Sequence, residues 1–167
     1  MSVNWSPAVE GFDRFYRPAR AFAGGKQTPQ NESEMANDTS TAVILVVDDS
    51  HDAAECLALV LEIEGFRALT AHDARSALDC IDRDAPDAVL LDLGLPDLDG
   101  VEVGRRIRAR SDGAGILLVA VSGHGRQEDM DSTREAGFDA HLVKPVDPGR
   151  IVELLAARGL AASAGQA

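Results

Sequence analysis

Four apolar runs in this chain each end in side chains that could handle a phosphate or a cation. Val43 to Val47 leads into Asp48 and Asp49, Ala88 to Leu91 into Asp92, Ile116 to Val121 into Ser122, and Ala140 to Val143 into Lys144 and Pro145. If the runs are parallel strands of one sheet, their ends share an edge. Ligands of open α/β sheets bind beyond the carboxyl ends of the strands. Three carboxylates, one hydroxyl and one ammonium would then meet at one place. Two like charges about 4 Å apart repel by roughly 4 kcal/mol at an effective dielectric near 20. Lys144 offsets one of the three negative charges. The remainder suits a hard divalent cation such as Mg²⁺, which takes oxygen ligands from one or two carboxylates plus a phosphate. No Cys or His adjoins these acids in sequence, which disfavours zinc. A carboxylate beside such a cation can also act as a nucleophile and form an acyl phosphate. Asp92 stands alone at its strand end and is the candidate for that role. Asp48 and Asp49 would hold the metal, Lys144 would neutralise phosphoryl charge, and Ser122 would donate a hydrogen bond.

The elements that must position these groups follow from the pattern. From Ala42 onward, strand-like and helix-like segments alternate five times, as the crossovers of a parallel sheet require. Strands are expected at 42–48, 67–70, 87–91, 116–121 and 139–143. The first helix starts after Ser50 as N-cap and stops at Gly65. The second starts near Asp73, carries Leu78 and Ile81 inward, and is broken by Asp84-Ala85-Pro86. The third runs from Gly100 to Arg110, with Val103 and Ile107 facing the sheet and a solvated arginine face near its C-terminal end. The fourth, 127–136, has few large apolar residues beyond Met130, so it is expected to be loosely held. The fifth opens with Asp147-Pro148, a cap followed by proline at the first helical position, and buries Ile151, Leu154 and Leu155 before Gly159.

The segments VVDDS (Val46 to Ser50), LLDLGLPDLDG (Leu90 to Gly100), AVSG (Ala120 to Gly123) and LVKP (Leu142 to Pro145) occur in order and at compatible spacings. With them the chain resembles the receiver domains of two-component response regulators, from about Ala42 to Arg158. The resemblance implies a flavodoxin-like α/β fold, a five-stranded parallel sheet of order 2-1-3-4-5 with helices on both faces. It implies that Asp92 is the phosphoacceptor, that Asp49 binds Mg²⁺ directly, and that Asp48 acts through water. Gly94 would give its backbone carbonyl to the metal. Ser122 would be the hydroxyl switch, Lys144 the phosphoryl partner, and Lys144-Pro145 a cis bond. The family's aromatic switch position falls on His141, a departure that brings a charge titrating near neutral pH. His124 falls where the family varies. The implied partners are a histidine kinase or histidine phosphotransfer protein upstream and an unknown protein downstream. The downstream protein would dock on the face made by the fourth helix, fifth strand and fifth helix, through which receivers often form homodimers.

Other classes fit less well. Asp97-Leu98-Asp99-Gly100 resembles the DxDG core of Mg²⁺-dependent haloacid-dehalogenase-like phosphohydrolases, but Pro96 separates it from the strand that ends at Asp92. The bland reading is a polar loop in which Asp99 caps the third helix. The same acids lack the Glu that an EF-hand needs at its twelfth position. The net charge is −12, and residues 1–34 carry four basic and four acidic groups, so the deficit lies in residues 35–167. Such a surface repels nucleic-acid phosphates and anionic lipid. No apolar run reaches membrane-spanning length and no signal peptide is evident, so a cytoplasmic location is expected. Cys56 and Cys80 match no zinc or redox spacing and read as reduced, buried small hydrophobes in helices.

Residues 1–41 hold five of the seven aromatic residues: Trp5, Phe12, Phe15, Tyr16 and Phe22. They read as a disordered tail or linker, as a docking segment that folds on a partner, or as a stretch upstream of a start at Met35. Residues 159–167 are expected to fray. Nothing after Gly159 is long enough for a helix-turn-helix domain, so a stand-alone receiver is expected, with a receiver from a hybrid histidine kinase as the alternative.

Overall fold

A computed structural model describes residues 41–163, and the three readings of the N-terminal stretch fall almost wholly outside them. Five strands alternate with five helices. They are β1 (Val43–Val47), α1 (His51–Ile63), β2 (Arg67–Ala71), α2 (Ala74–Asp84), β3 (Ala88–Asp92), α3 (Gly100–Ala109), β4 (Leu117–Ser122), α4 (Gln127–Glu135), β5 (Ala140–Val143) and α5 (Pro148–Ala157). All pairings are parallel and the strand order is β2-β1-β3-β4-β5. The fold is flavodoxin-like, as the motifs implied.

The central strands read as unbroken apolar runs because both faces of the sheet are covered. Side chains alternate between two cores. Leu45, Val47, Val89, Leu91, Leu118 and Ala120 point to one core, which packs on α2 and α3 through Ala77, Ile81, Val103 and Ile107. Ile44, Val46, Leu90, Val119 and Val121 point to the other, which packs on α1 and α5 through Leu61, Ile151, Leu154 and Leu155. Leu78 is partly buried against the first core.

Helix ends fall where the sequence places caps. Ser50, Asp73, Asp99 and Asp147 each accept a backbone N–H in the first turn of their helix. Gly65 and Gly159 follow α1 and α5 with φ of +90° and +81°, the left-handed region that only glycine adopts freely.

Two expectations need correction. Cys56 lies in α1 but is exposed; only Cys80 is buried, and both are free thiols. The described part of the C-terminal segment is docked rather than frayed. The Ala42 amide donates to the Ala161 carbonyl at 3.1 Å, the Ser163 amide to the Gly65 carbonyl at 2.7 Å, and Leu160 and Ala162 pack on the second core. Backbone pairing outweighs the low apolar content of those small residues.

Candidate functional site

Parallel register brings the strand ends together. Within the sheet Val47 lies opposite Leu91, Asp92 opposite Val121, and Ser122 opposite Val143. The residues that follow or close these strands therefore emerge side by side. A carboxylate oxygen from each of Asp48, Asp49 and Asp92 lies within 4.8 Å of the others. Asp48 and Asp92 are buried, at 7% and 6% exposure, while Asp49 faces solvent.

Lys144 closes the site from β5. Its Nζ donates to Asp48 Oδ2 at 2.8 Å and to Asp92 Oδ2 at 2.9 Å. Burial pulls the Lys144 pKa down, but the hydrogen bonds to Asp48 and Asp92 outweigh it, and the value lies above the usual lysine range. The ammonium is held charged. The Lys144-Pro145 bond is cis.

Asp92 is less solitary than its sequence position implies. Besides the Lys144 contact, its Oδ1 accepts the Gly94 amide at 3.0 Å. An ionised carboxylate offers about four acceptor sites, so lone pairs remain on both oxygens. The other oxygen of Asp48 accepts the Ser50 amide at 2.9 Å. Gly100, the first residue of α3, sits against the backbone after β3. A Cβ there would lie 2.6 Å from the Asp92 carbonyl oxygen, so only glycine lets α3 start this close to the site.

Ser122 is buried at the same edge, but its hydroxyl is engaged elsewhere. It donates to the His124 carbonyl at 2.5 Å and lies 2.8 Å from His141 Nε2. His141 Nδ1 in turn lies 3.0 Å from Thr133 Oγ1. Burial lowers the His141 pKa below its ordinary value, against the opposing pull of Asp129. The structure thus gathers Asp48, Asp49, Asp92 and Lys144 into one cluster, with Gly94 on the Asp92 carboxylate, and sets Ser122 and His141 as a hydrogen-bonded pair beside it.

The acids of the DxDG segment serve other ends. Asp97 accepts the Ala74 and Arg75 amides at 2.9 and 3.3 Å and so tethers the β3–α3 loop to the start of α2. Asp99 caps α3 through the Val101 amide at 2.7 Å. Neither belongs to the acidic cluster. Asp97 as a cap for a neighbouring helix, and Thr133 as a partner of His141, carried no sequence signal, since both contacts are tertiary.

The response regulator receiver domain family model matches residues 44–156. The chain belongs to that family. A 14.6 kDa protein from the sodA1 3′ region of Leptolyngbya boryana is 35% identical over 112 residues, 67% of this chain and 86% of that protein. The DNA-binding response regulator MtrA of Mycobacterium tuberculosis is 38% identical over 121 residues, 72% of this chain and 52% of MtrA. The receiver chain thus spans about half the length of that relative. A CheY-like receiver domain protein from Methanospirillum hungatei has a TM-score of 0.65 at 29% identity, covering 70% of this chain and 92% of that one. For the chemotaxis response regulator CheY4 of Vibrio cholerae the TM-score is 0.66 at 25% identity, covering 70% and 98%. The receiver is a regulatory domain of two-component systems. No helix among its described residues is long and apolar enough to cross a membrane.

Proposed function

We propose that this receiver accepts a phosphoryl group on the Asp92 carboxylate from the phosphohistidine of a histidine kinase or histidine phosphotransfer protein, and that occupation of the site changes its affinity for a downstream protein. The observation that carries this reading is the meeting of Asp48, Asp49, Asp92 and Lys144 at one sheet edge.

Mg²⁺ fits the donor set. The ligands on offer are hard oxygens, and three carboxylates with one ammonium leave a formal charge of −2. The carboxylates of Asp48, Asp49 and Asp92 would hold the ion, with the Gly94 carbonyl as the family resemblance implies. When bound, it supplies charge neutralisation on the transferring phosphoryl oxygens. The receiver's own residues do the rest. A carboxylate oxygen of Asp92 attacks phosphorus, the new O–P bond forms as the histidine N–P bond breaks, and that electron pair returns to the donor imidazole. Lys144 follows the negative charge from the carboxylates to the phosphoryl group. Ser122 leaves the His124 carbonyl and donates to a phosphoryl oxygen. The loop after β4 moves with it. Gly123 leaves room for that motion, since a Cβ there would meet nothing within 4 Å. The face of α4, β5 and α5 then shifts between two populations, which a partner or a second copy reads by differential affinity. The acidic surface makes that partner a protein rather than nucleic acid or membrane. We place this exchange in the cytoplasm, where free thiols persist. A stand-alone role is supported by the Leptolyngbya boryana relative, most of which is matched by this domain.

The test is labelling with acetyl phosphate and Mg²⁺. Wild-type protein should take up one phosphoryl group per chain. Asp92→Asn should take up none, and Asp49→Ala should be slower by roughly 100-fold, the scale on which losing one preorganised electrostatic contact acts. Undiminished labelling of Asp92→Asn would sink the assignment. Continuous turnover of small phosphate esters would favour a phosphohydrolase instead.

A further inference from the structure

Backbone pairing between β1 and β2 stops one rung short of the acidic site. Val47 lies opposite Ala71 as the last register pair, and the Asp48 amide still donates to the Ala71 carbonyl at 3.1 Å. In a parallel ladder the Asp48 carbonyl would next accept the amide of Asp73. That amide donates instead to Ser76 Oγ at 3.3 Å, because Asp73 caps α2 and the chain leaves the sheet there. The imidazole of His72 takes the place of the missing rung. Its Nδ1 lies 3.1 Å from the Asp48 carbonyl oxygen. A carbonyl only accepts, so Nδ1 carries the proton of that bond.

The ring is held on its face as well as at its edge. His51, the first residue of α1, stacks on His72 with centroids 3.6 Å apart and planes 21° apart. His51 is exposed and His72 half-buried, so the outer ring shields the inner one. The peptide unit that owns the Asp48 carbonyl is the one joining Asp48 to Asp49. Its orientation sets ψ of Asp48 and φ of Asp49, and so the directions in which the two carboxylates leave the backbone. The Asp48 carboxylate has further anchors in the Ser50 amide and Lys144. Asp49 faces solvent, so its aim depends on the backbone.

We propose that His72 is a positioning residue for the cation: its Nδ1–H fixes the Asp48–Asp49 peptide and thereby aims both carboxylates at one ion. The proposal rests on the reading of Asp48, Asp49 and Asp92 as a Mg²⁺ site. It makes Mg²⁺ affinity depend on a donor that lies outside the acidic cluster, at the end of β2.

Calorimetric titration of the unphosphorylated full chain with MgCl₂ tests this. His72→Leu keeps apolar bulk and loses the donor. The amide nitrogen of Asn sits where Nδ1 of His does, two bonds from Cβ, so His72→Asn keeps the donor without the ring. Both variants are titrated below the melting temperature each shows in metal-free buffer. The Kd for Mg²⁺ should rise roughly 10-fold or more in His72→Leu, the scale on which groups that orient metal ligands act, and His72→Asn should recover most of that loss. An unchanged Kd in His72→Leu would overturn the proposal. So would His72→Asn binding no tighter than His72→Leu, since the ring would then act by bulk alone. Wild type that binds no Mg²⁺ would remove the metal reading itself, and the proposal with it, so the two failures are told apart.

Discussion

His141 shows how one residue ties stability to pH. Its folded pKa is depressed below 6.5, first by burial, with Asp129 opposing. The near-neutral titration expected from its residue type is therefore moved to lower pH. Between the folded and unfolded values the unfolded chain binds more protons, so stability rises with pH through that window. The ring's contribution is complete above about pH 6.5 and is lost as pH falls through the folded value. Urea titrations at pH 7 and pH 5 should show a larger loss for wild type than for His141→Phe. Equal losses would mean that another group sets the acid limb. The residues of the acidic cluster were legible in sequence because each closes an apolar run, and a parallel sheet brings such ends to one edge. Thr133 and Asp97 were not. Thr133 sits in a helix with no apolar period around it, and Asp97 caps a helix that begins 23 residues earlier. Only the folded chain brings these partners together.

Among the helices, α4 is the weakly held one. Its N-cap, Arg126, makes no side-chain capping bond, and Thr133 is its single buried residue. The other four have side-chain caps, and each buries three or four residues. A cap is worth about 1 kcal/mol, and apolar burial supplies most of the rest of a helix's stability in a protein. Amides of Gln127–Glu135 should therefore exchange with solvent faster than those of the other four helices, read residue by residue by hydrogen exchange. Protection in α4 equal to that in α3 would remove the looseness on which the proposed shift of the α4, β5 and α5 face depends. The weakness was visible beforehand in the lack of large apolar residues beyond Met130. Which residue anchors the helix was not, because a threonine reads as polar surface until its hydroxyl is seen bonded on both sides. Helix and strand limits were readable to within a residue or two from caps and glycines. The docked segment after Gly159 escaped notice because its pairing uses backbone groups, which sequence does not distinguish.

On the scale of the whole molecule, a net charge of −12 makes the folded chain repel itself. Two effects of salt must then be told apart. Raising NaCl from about 0.01 to about 0.15 M shortens the Debye length from about 30 to about 8 Å. That screening should raise the melting temperature of wild type and Asp49→Ala alike. Mg²⁺ at fixed ionic strength acts differently if it binds the strand-end acids. At about 100 times its Kd a ligand adds about 2.7 kcal/mol to folded stability, or several degrees in melting temperature for a domain of this size. Asp49 is exposed, so its removal disturbs little packing and relieves repulsion from Asp48 and Asp92. Asp49→Ala should accordingly melt no lower than wild type in metal-free buffer, yet gain much less from Mg²⁺. Equal Mg²⁺ shifts in the two proteins would mean that the ion acts as a diffuse counterion, and the three carboxylates would lose their standing as a metal site.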